Sequence, residues 1–176
     1  PDTIRQMIAR RELSDNPAVV VLGFRHNEPG NYGRLIADNN DQLNAIIEAK
    51  EADIETLAID LCNSGIMAID RSLLKTLISK ITNNNTKGEY YLTDIIAIAR
   101  ELGRTCAYVE GDANEFIGVD TRADLADAEL ALQRRLRQRA LENGTTLIDP
   151  NSIHLSFDTK IGSDVIIEPF VFIAPG

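Results

Sequence analysis

The sequence predicts an α/β chain: a layered domain over residues 1–120, a connecting helix over 121–144 and the start of a solenoid over 145–176. Three observations carry this prediction. Short aliphatic runs such as Val19-Val20-Val21-Leu22 alternate with stretches of helical period, the pattern of buried strands layered against helices. A single helical pattern with a start signal and a stop signal runs from Thr121 to Asn143. Beyond it an aliphatic residue recurs every six positions, at Ile161, Ile167 and Ile173.

Taken in chain order, Ile4, Met7 and Ile8 recur at helical spacing between Asp2 and Leu13, and the run at 19–22 then marks a strand buried on both faces. After the loop Asn27-Glu28-Pro29-Gly30-Asn31, the segments Arg34 to Ala37 and Leu43 to Ile47 flank the turn-rich Asp38-Asn39-Asn40-Asp41, which predicts a hairpin. Leu61 to Ile69 reads as another buried strand. Leu73, Leu74, Leu77, Ile78 and Ile81 line one helix, and Ile95, Ile96, Ala99 and Leu102 line a second beyond the polar loop Asn83 to Gly88. Thr105 to Val109 is a further strand. In the long helix Thr121 and Asp124 make a capping-box variant, acidic residues crowd the first turns, and Arg134, Arg135, Arg137 and Arg139 crowd the last. Gly144 stands at C′. Leu125, Ala128, Leu132, Leu136 and Ala140 form an apolar face that calls for packing along the helix.

In the repeat, Val165 and Val171 follow Ile161 and Ile167 by four positions. A period-six coil hides its aliphatic residues only between stacked neighbours, so two and a half repeats call for more coils beyond Gly176. A pair of ordinary strands is the plainer alternative. With no methionine at Pro1 and a stop just after an aliphatic stretch, the chain reads as a segment of a longer one.

Composition narrows the function. The 176 residues are 44% hydrophobic and 26% charged, and no apolar run approaches the roughly 18 residues of a membrane helix. Eighteen basic against 27 acidic residues give a net charge of -9, with no basic stripe to neutralise a phosphate backbone. Neither nucleic acid nor membrane is an expected partner. Cys62 and Cys106 lie in apolar stretches and no signal-peptide pattern opens the chain, so a reduced, cytoplasmic setting is expected, without a disulfide.

Several polar positions could carry chemistry. Gly33, between a loop and a strand, either admits a ligand to the backbone or serves a turn. Glu48 and Lys50, two apart on a strand, would form an ion pair or leave the carboxylate for sugar hydroxyls. Asn63-Ser64-Gly65 places an amide inside an aliphatic strand, where it needs partners. Gly88 to Asp94 opens a helix, and Thr93 or Asp94 could cap it or face an anion. Asp120, ahead of the long helix, is either a cap or a hard oxygen ligand for Mg²⁺. His26 and His154 have no partners at metal-ligand spacing, and no nucleophile–base arrangement stands out.

In order, Tyr32-Gly33-Arg34-Leu35, Ile47 to Glu51, Asn63 to Ile66, Asn83-Asn84-Asn85 with Gly88 to Asp94, Gly118 to Arg122 and the hexapeptides span nearly the whole chain. Together they resemble the bacterial bifunctional N-acetylglucosamine-1-phosphate uridyltransferase and glucosamine-1-phosphate acetyltransferase family. The resemblance implies that residues 1–120 are the sugar-binding, C-terminal half of a Rossmann-like nucleotidyltransferase domain. It implies that 145–176 open a left-handed parallel β-helix, the acetyltransferase domain.

Carried over by residue, the sugar positions fall on the Gly33 backbone and the Glu48 and Asn63 side chains, with Tyr91 and Thr93 on the sugar-phosphate side. The metal position falls on Asp120, where the family usually has asparagine; Ser64 and Glu51 stand for the usual threonine and aspartate. The family's glycine-rich phosphate-binding signature and a second metal-binding aspartate have no counterpart here and are expected upstream of Pro1.

The implied reaction joins UTP and N-acetylglucosamine 1-phosphate into UDP-N-acetylglucosamine with release of pyrophosphate, using Mg²⁺. A second activity would acetylate glucosamine 1-phosphate from acetyl-CoA in a homotrimer, and this chain alone is expected to be inactive. Two alternatives stay open: a nucleotidyltransferase for another sugar or base, and a non-enzymatic sugar-binding, hexapeptide-repeat protein.

Overall fold

In the computed structural model, which describes residues 2–38 and 40–176, the chain divides into units over 1–116 and 117–176. The first runs α1 (Asp2–Arg11), β1 (Val19–Arg25), β2 (Arg34–Ala37), β3 (Leu43–Ile47), α2 (Ile54–Leu57), β4 (Leu61–Ile69), α3 (Leu74–Ser79), α4 (Ile95–Glu101) and β5 (Cys106–Glu110). Its five strands lie in the order β3-β2-β4-β1-β5. Among the described residues of this sheet, β1 and β5 are the parallel pair and the other neighbours run antiparallel.

The aliphatic run of β1 has a simple cause. Val19 and Val21 sit in one core with Leu77 of α3 and Ile95, Ile96 and Ala99 of α4, whereas Val20 and Leu22 sit in another with Met7 of α1. Residues from Val19 to Phe24 are therefore all buried, because both faces of the strand are covered. The expected hairpin forms from β2 and β3, with Asp38 Oδ1 accepting the amides of Asn40 (2.8 Å) and Gln42 (3.1 Å). Asn39 of that turn lies outside the described residues, as does Pro1.

Helix edges depart from the periodicity. Ile8 is 51% exposed, so only Met7 and Ile4 anchor α1. Leu77 carries α3 into the core, while Ile78 and Leu102 face outward. Residues 52–60 gave no signal in the sequence; they hold α2, whose N-cap Asp53 accepts the Thr56 amide at 2.8 Å. Both cysteines are free and buried.

In the second unit α5 (Arg122–Glu142) begins at the expected capping box, Thr121 with Asp124, and ends before Gly144, whose φ of +85° suits a residue without Cβ. The expected apolar face holds toward the C-terminal end, where Ala140 is buried in the core and Leu136 packs against it, and fails at the start of the helix. Leu125 is 59% exposed, and the residues buried on α5 are Gln133, Arg137 and Ala140. Beyond it β6 (Thr146–Leu147) pairs with β8 (Ile166–Ile167), and β7 (His154–Leu155) with β9 (Phe172–Ile173), both parallel. Ala140, Leu147, Ile153, Leu155 and Ile167 form the core, with Ile161, Val171 and Ile173 packed on it, whereas Val165 is 40% exposed.

The burial of Gln133 has a backbone explanation. Its amide donates to the Leu155 carbonyl at 2.7 Å and accepts the Leu155 N–H at 2.9 Å, standing where a neighbouring strand would stand. Arg137 adds a bond to the Ile153 carbonyl at 3.2 Å. Gln133→Ala leaves both Leu155 groups unpaired in the interior, which costs about 1–3 kcal/mol. Chemical denaturation should show a loss of that size for the second unit, and an unchanged midpoint would mean that solvent replaces the amide.

Burial pushes the Cys106 thiol up to about 11. The unfolded thiol ionises first, near its ordinary value of 9.0, so this contribution to stability is complete below that pH and is lost as pH rises toward 11. The slope in this window reaches about 1.4 kcal/mol per pH unit. Denaturant midpoints from pH 8 to about 10.5 should fall more steeply for the wild type than for Cys106→Ala, and parallel curves would refute this.

Candidate functional site

The carboxyl-side end of β3 and the neighbouring ends of β2 and β4 bring four of the five expected sugar-site residues into one line of contacts. Thr93 Oγ1 donates to Glu48 Oε1 at 3.1 Å. A Cβ placed on Gly33 would crowd Ile46 Cγ2 at 3.3 Å and stand 3.5 Å from Glu48 Oε2, so Gly33 lies beside the carboxylate. The Gly33 carbonyl in turn accepts the Asn63 N–H at 2.8 Å.

Local sequence explains each position. Glu48 lies just past β3 in a turn closed by the Glu51 amide on the Glu48 carbonyl at 2.9 Å, so Glu48 and Lys50 are not strand neighbours and the ion-pair alternative along a strand does not arise. The Glu48 carboxylate meets a hydroxyl instead. Asn63 is half-buried at a bulge: Val21 pairs with Met67 but Gly23 with Asn63, so residues 64–66 loop out opposite Leu22. Three bonds fix the bulge: Gly65 N–H to Asn63 Oδ1 at 2.9 Å, Ile66 N–H to Ser64 Oγ at 3.2 Å, and Ser64 Oγ–H to the Leu22 carbonyl at 2.7 Å. Gly65, at φ +82°, makes the turn possible.

Tyr91 and Thr93 belong to the short 3₁₀ turn ahead of α4. Of the two alternatives, the cap is not formed: neither Thr93 nor Asp94 caps that helix through its side chain, and the Thr93 hydroxyl donates to Glu48. Burial raises the Asp94 carboxyl above its ordinary value. Partial burial raises the Tyr91 phenol, helped by the carboxylates of Glu89, Glu51 and Glu48. The preceding loop is organised by Asn85, whose Oδ1 accepts the Lys87 and Glu89 amides, both at 3.1 Å. Thr86 Oγ1 ties this loop to Glu51 Oε2 at 2.7 Å. The motif residues Asn85, Thr86 and Glu51 thus hold two loops together, a role the sequence pattern did not reveal.

Asp120 lies in the second unit, in the exposed segment before α5. It is not the cap: Thr121 is, and the Asp120 N–H donates to Asp124 Oδ2 at 3.1 Å. Its carboxylate offers one hard oxygen, whereas Mg²⁺ takes octahedral coordination. Among the described residues no group of three or more His, Cys, Asp or Glu could hold a metal. These residues alone do not make a Mg²⁺ site. No helix among them is long and apolar enough to cross a membrane.

The first unit is a mixed α/β layer, a central sheet covered by helices with polar side chains gathered at one end of its strands. The chain aligns over 96% of its length, at a TM-score of 0.65 and 11% identity, with 52% of a structure assigned as a UDP-N-acetylglucosamine pyrophosphorylase of Entamoeba histolytica. It aligns over 77% of its length, at 0.52 and 15% identity, with 57% of a CMP:2-keto-3-deoxy-manno-octonic acid synthetase complexed with CTP. No family model matches the chain. In sequence it is 51% identical over 174 residues, 99% of its length, to the bifunctional protein GlmU of Paramagnetospirillum magneticum. It is 51% identical over 165 residues to that of Rhodospirillum rubrum. The resemblance seen in the motifs therefore holds along the whole chain, which is a homologue of a segment of these proteins and spans 38% and 37% of their lengths.

Thr93 is 8% exposed, so its hydroxyl and the Glu48 carboxylate depend on each other. Thr93→Val keeps the shape and removes the donor to a charged acceptor, a loss of about 1.5–3 kcal/mol, while Thr93→Ser restores most of it. Urea midpoints of the three proteins check this; equal midpoints for Val and Thr would show that water serves Glu48 as well.

Proposed function

We propose that this chain supplies the sugar half of a uridyltransferase site, in a protein that joins UTP and N-acetylglucosamine 1-phosphate into UDP-N-acetylglucosamine and pyrophosphate. The observation that carries the reading is the line Thr93–Glu48–Gly33–Asn63 on a chain half identical, end to end, to bifunctional GlmU proteins. In this reading Glu48 accepts hydrogen bonds from sugar hydroxyls, Asn63 and the Gly33 backbone hold the sugar and its acetamido group, and Tyr91 and Thr93 flank the sugar-phosphate side. A sugar-phosphate oxygen bonds to the α-phosphorus of UTP as the bond to the departing pyrophosphate breaks; these residues position one reactant. Asp120 would give one carboxylate oxygen to Mg²⁺, whose chemistry there is neutralisation of phosphate charge.

The second unit supports a further part of the proposal. The six-residue spacing of Ile161, Ile167 and Ile173 and the two short parallel pairs fit the first coil of a left-handed β-helix, the acetyltransferase domain that would use acetyl-CoA on glucosamine 1-phosphate within a homotrimer. A different sugar or base is the second reading, favoured by the CMP-sugar synthetase among the fold neighbours.

In the full-length protein carrying this chain, Glu48→Ala and Asn63→Ala should raise KM for N-acetylglucosamine 1-phosphate about tenfold while leaving KM for UTP within about twofold. The 176-residue chain alone should release no pyrophosphate above background. Steady-state kinetics with several sugar phosphates and nucleotides decides between the readings, and preference for another pair would replace the first with the second.

A further inference from the structure

Arg34 is 2% exposed, yet among the described residues it pairs with no carboxylate. Its guanidinium donates only to backbone carbonyls: Tyr32, Gly30 at 3.2 Å and Leu57 at 3.5 Å. Its Nε is buried without a partner. A buried guanidinium lacking a counter-charge is expensive, and packing alone would be better served by an apolar side chain of the same length. What the arrangement achieves is geometric. Gly30 and Tyr32 lie in the loop leading to Gly33, at the φ of +51° that Gly30 adopts, and Leu57 ends α2. One planar fork with several donors therefore ties that loop to a helix end more than twenty positions away.

The peptide joining Tyr32 to Gly33 is trans, so its carbonyl and its N–H point in opposite directions. With the Tyr32 carbonyl turned to Arg34, the Gly33 N–H is turned away from it. The next carbonyl, that of Gly33, is committed to the Asn63 amide. The Tyr32 ring is held as well, edge-on to Phe24 of β1 at 4.9 Å between centroids. Both peptides around Gly33 are thereby fixed in direction before any ligand arrives.

We propose that Arg34 is the positioning residue of the sugar site: it holds the Gly30–Tyr32 carbonyls so that the Gly33 N–H is presented to the sugar phosphate. The proposal rests on the reading of Gly33 as a sugar-binding backbone position. Lysine, with one compact ammonium in place of a planar fork, cannot span the three carbonyls equally and serves only in part.

The test uses the full-length protein with Arg34→Met and Arg34→Lys, at temperatures where each is folded by circular dichroism. The expected result is a KM for N-acetylglucosamine 1-phosphate raised about tenfold by methionine and less by lysine, with KM for UTP within about twofold of wild type. Without ligand, the Gly33 amide should shift in ¹⁵N–¹H spectra and exchange faster with solvent in the methionine variant. An unmoved Gly33 amide, or equal rises in both KM values, overturns the proposal. Should the methionine variant not fold, the lysine variant carries both measurements. If the wild type itself neither binds nor converts N-acetylglucosamine 1-phosphate, the functional reading falls, and the Gly33 amide still decides whether Arg34 sets the loop.

Discussion

Covering β1 on both faces is the constraint from which the first unit follows. A strand packed by α3 and α4 on one side and by α1 on the other cannot alternate polar and apolar residues, which is why Val19 to Phe24 are all buried. Fixed there, β1 pairs with β4 along its length, and the bulge opposite Leu22 arises because β4 carries more residues than β1 can match. The other edge of β4 pairs with β2, Arg34 opposite Cys62, and it is this pairing that sets the Asn63 amide on the Gly33 carbonyl. β4 thus carries the candidate site on one edge while its other edge is held to the buried strand.

Glu48 shows how one carboxylate organises a neighbourhood. It follows the last residue of β3, and one carboxylate oxygen meets the Thr93 hydroxyl while the other lies on the side of Gly33. Burial raises the Tyr91 phenol, and the negative charge of Glu89, Glu51 and Glu48 adds to it. Such surroundings suit a ligand that brings hydroxyl donors.

Much of this was legible in the residues. The strands around 34–37, 43–47 and 61–69 and the capped helix at 122–142 announced themselves through aliphatic period and terminal signals, which are local properties. The candidate site was legible as a set of motifs, because its members keep their order along the chain. Less visible was whatever depends on distant partners. Leu125 looked like core but is exposed, while Gln133 and Arg137 are buried through bonds to the backbone near 153–155. The ion-pair alternative for Glu48 and Lys50 assumed a strand that continued past Ile47, where the chain turns instead. For Gln133 and Arg137 the deciding contacts, about twenty positions away, lie outside the window that periodicity reads.

The amide of Gln133 also governs where α5 can change length. Each inserted residue turns a helix by about 100°, since 3.6 residues complete a turn. An insertion between Ala140 and Gly144 would swing Gln133 and Arg137 away from the Leu155 and Ile153 backbone together. An insertion before Glu129 would leave those bonds in phase and merely rotate the exposed part that carries Leu125. As far as the packing of the second unit is concerned, the two ends of one continuous helix therefore differ in their tolerance of insertions and deletions: its bonds to the strands survive a change of length before Glu129 and are lost with one after Ala140.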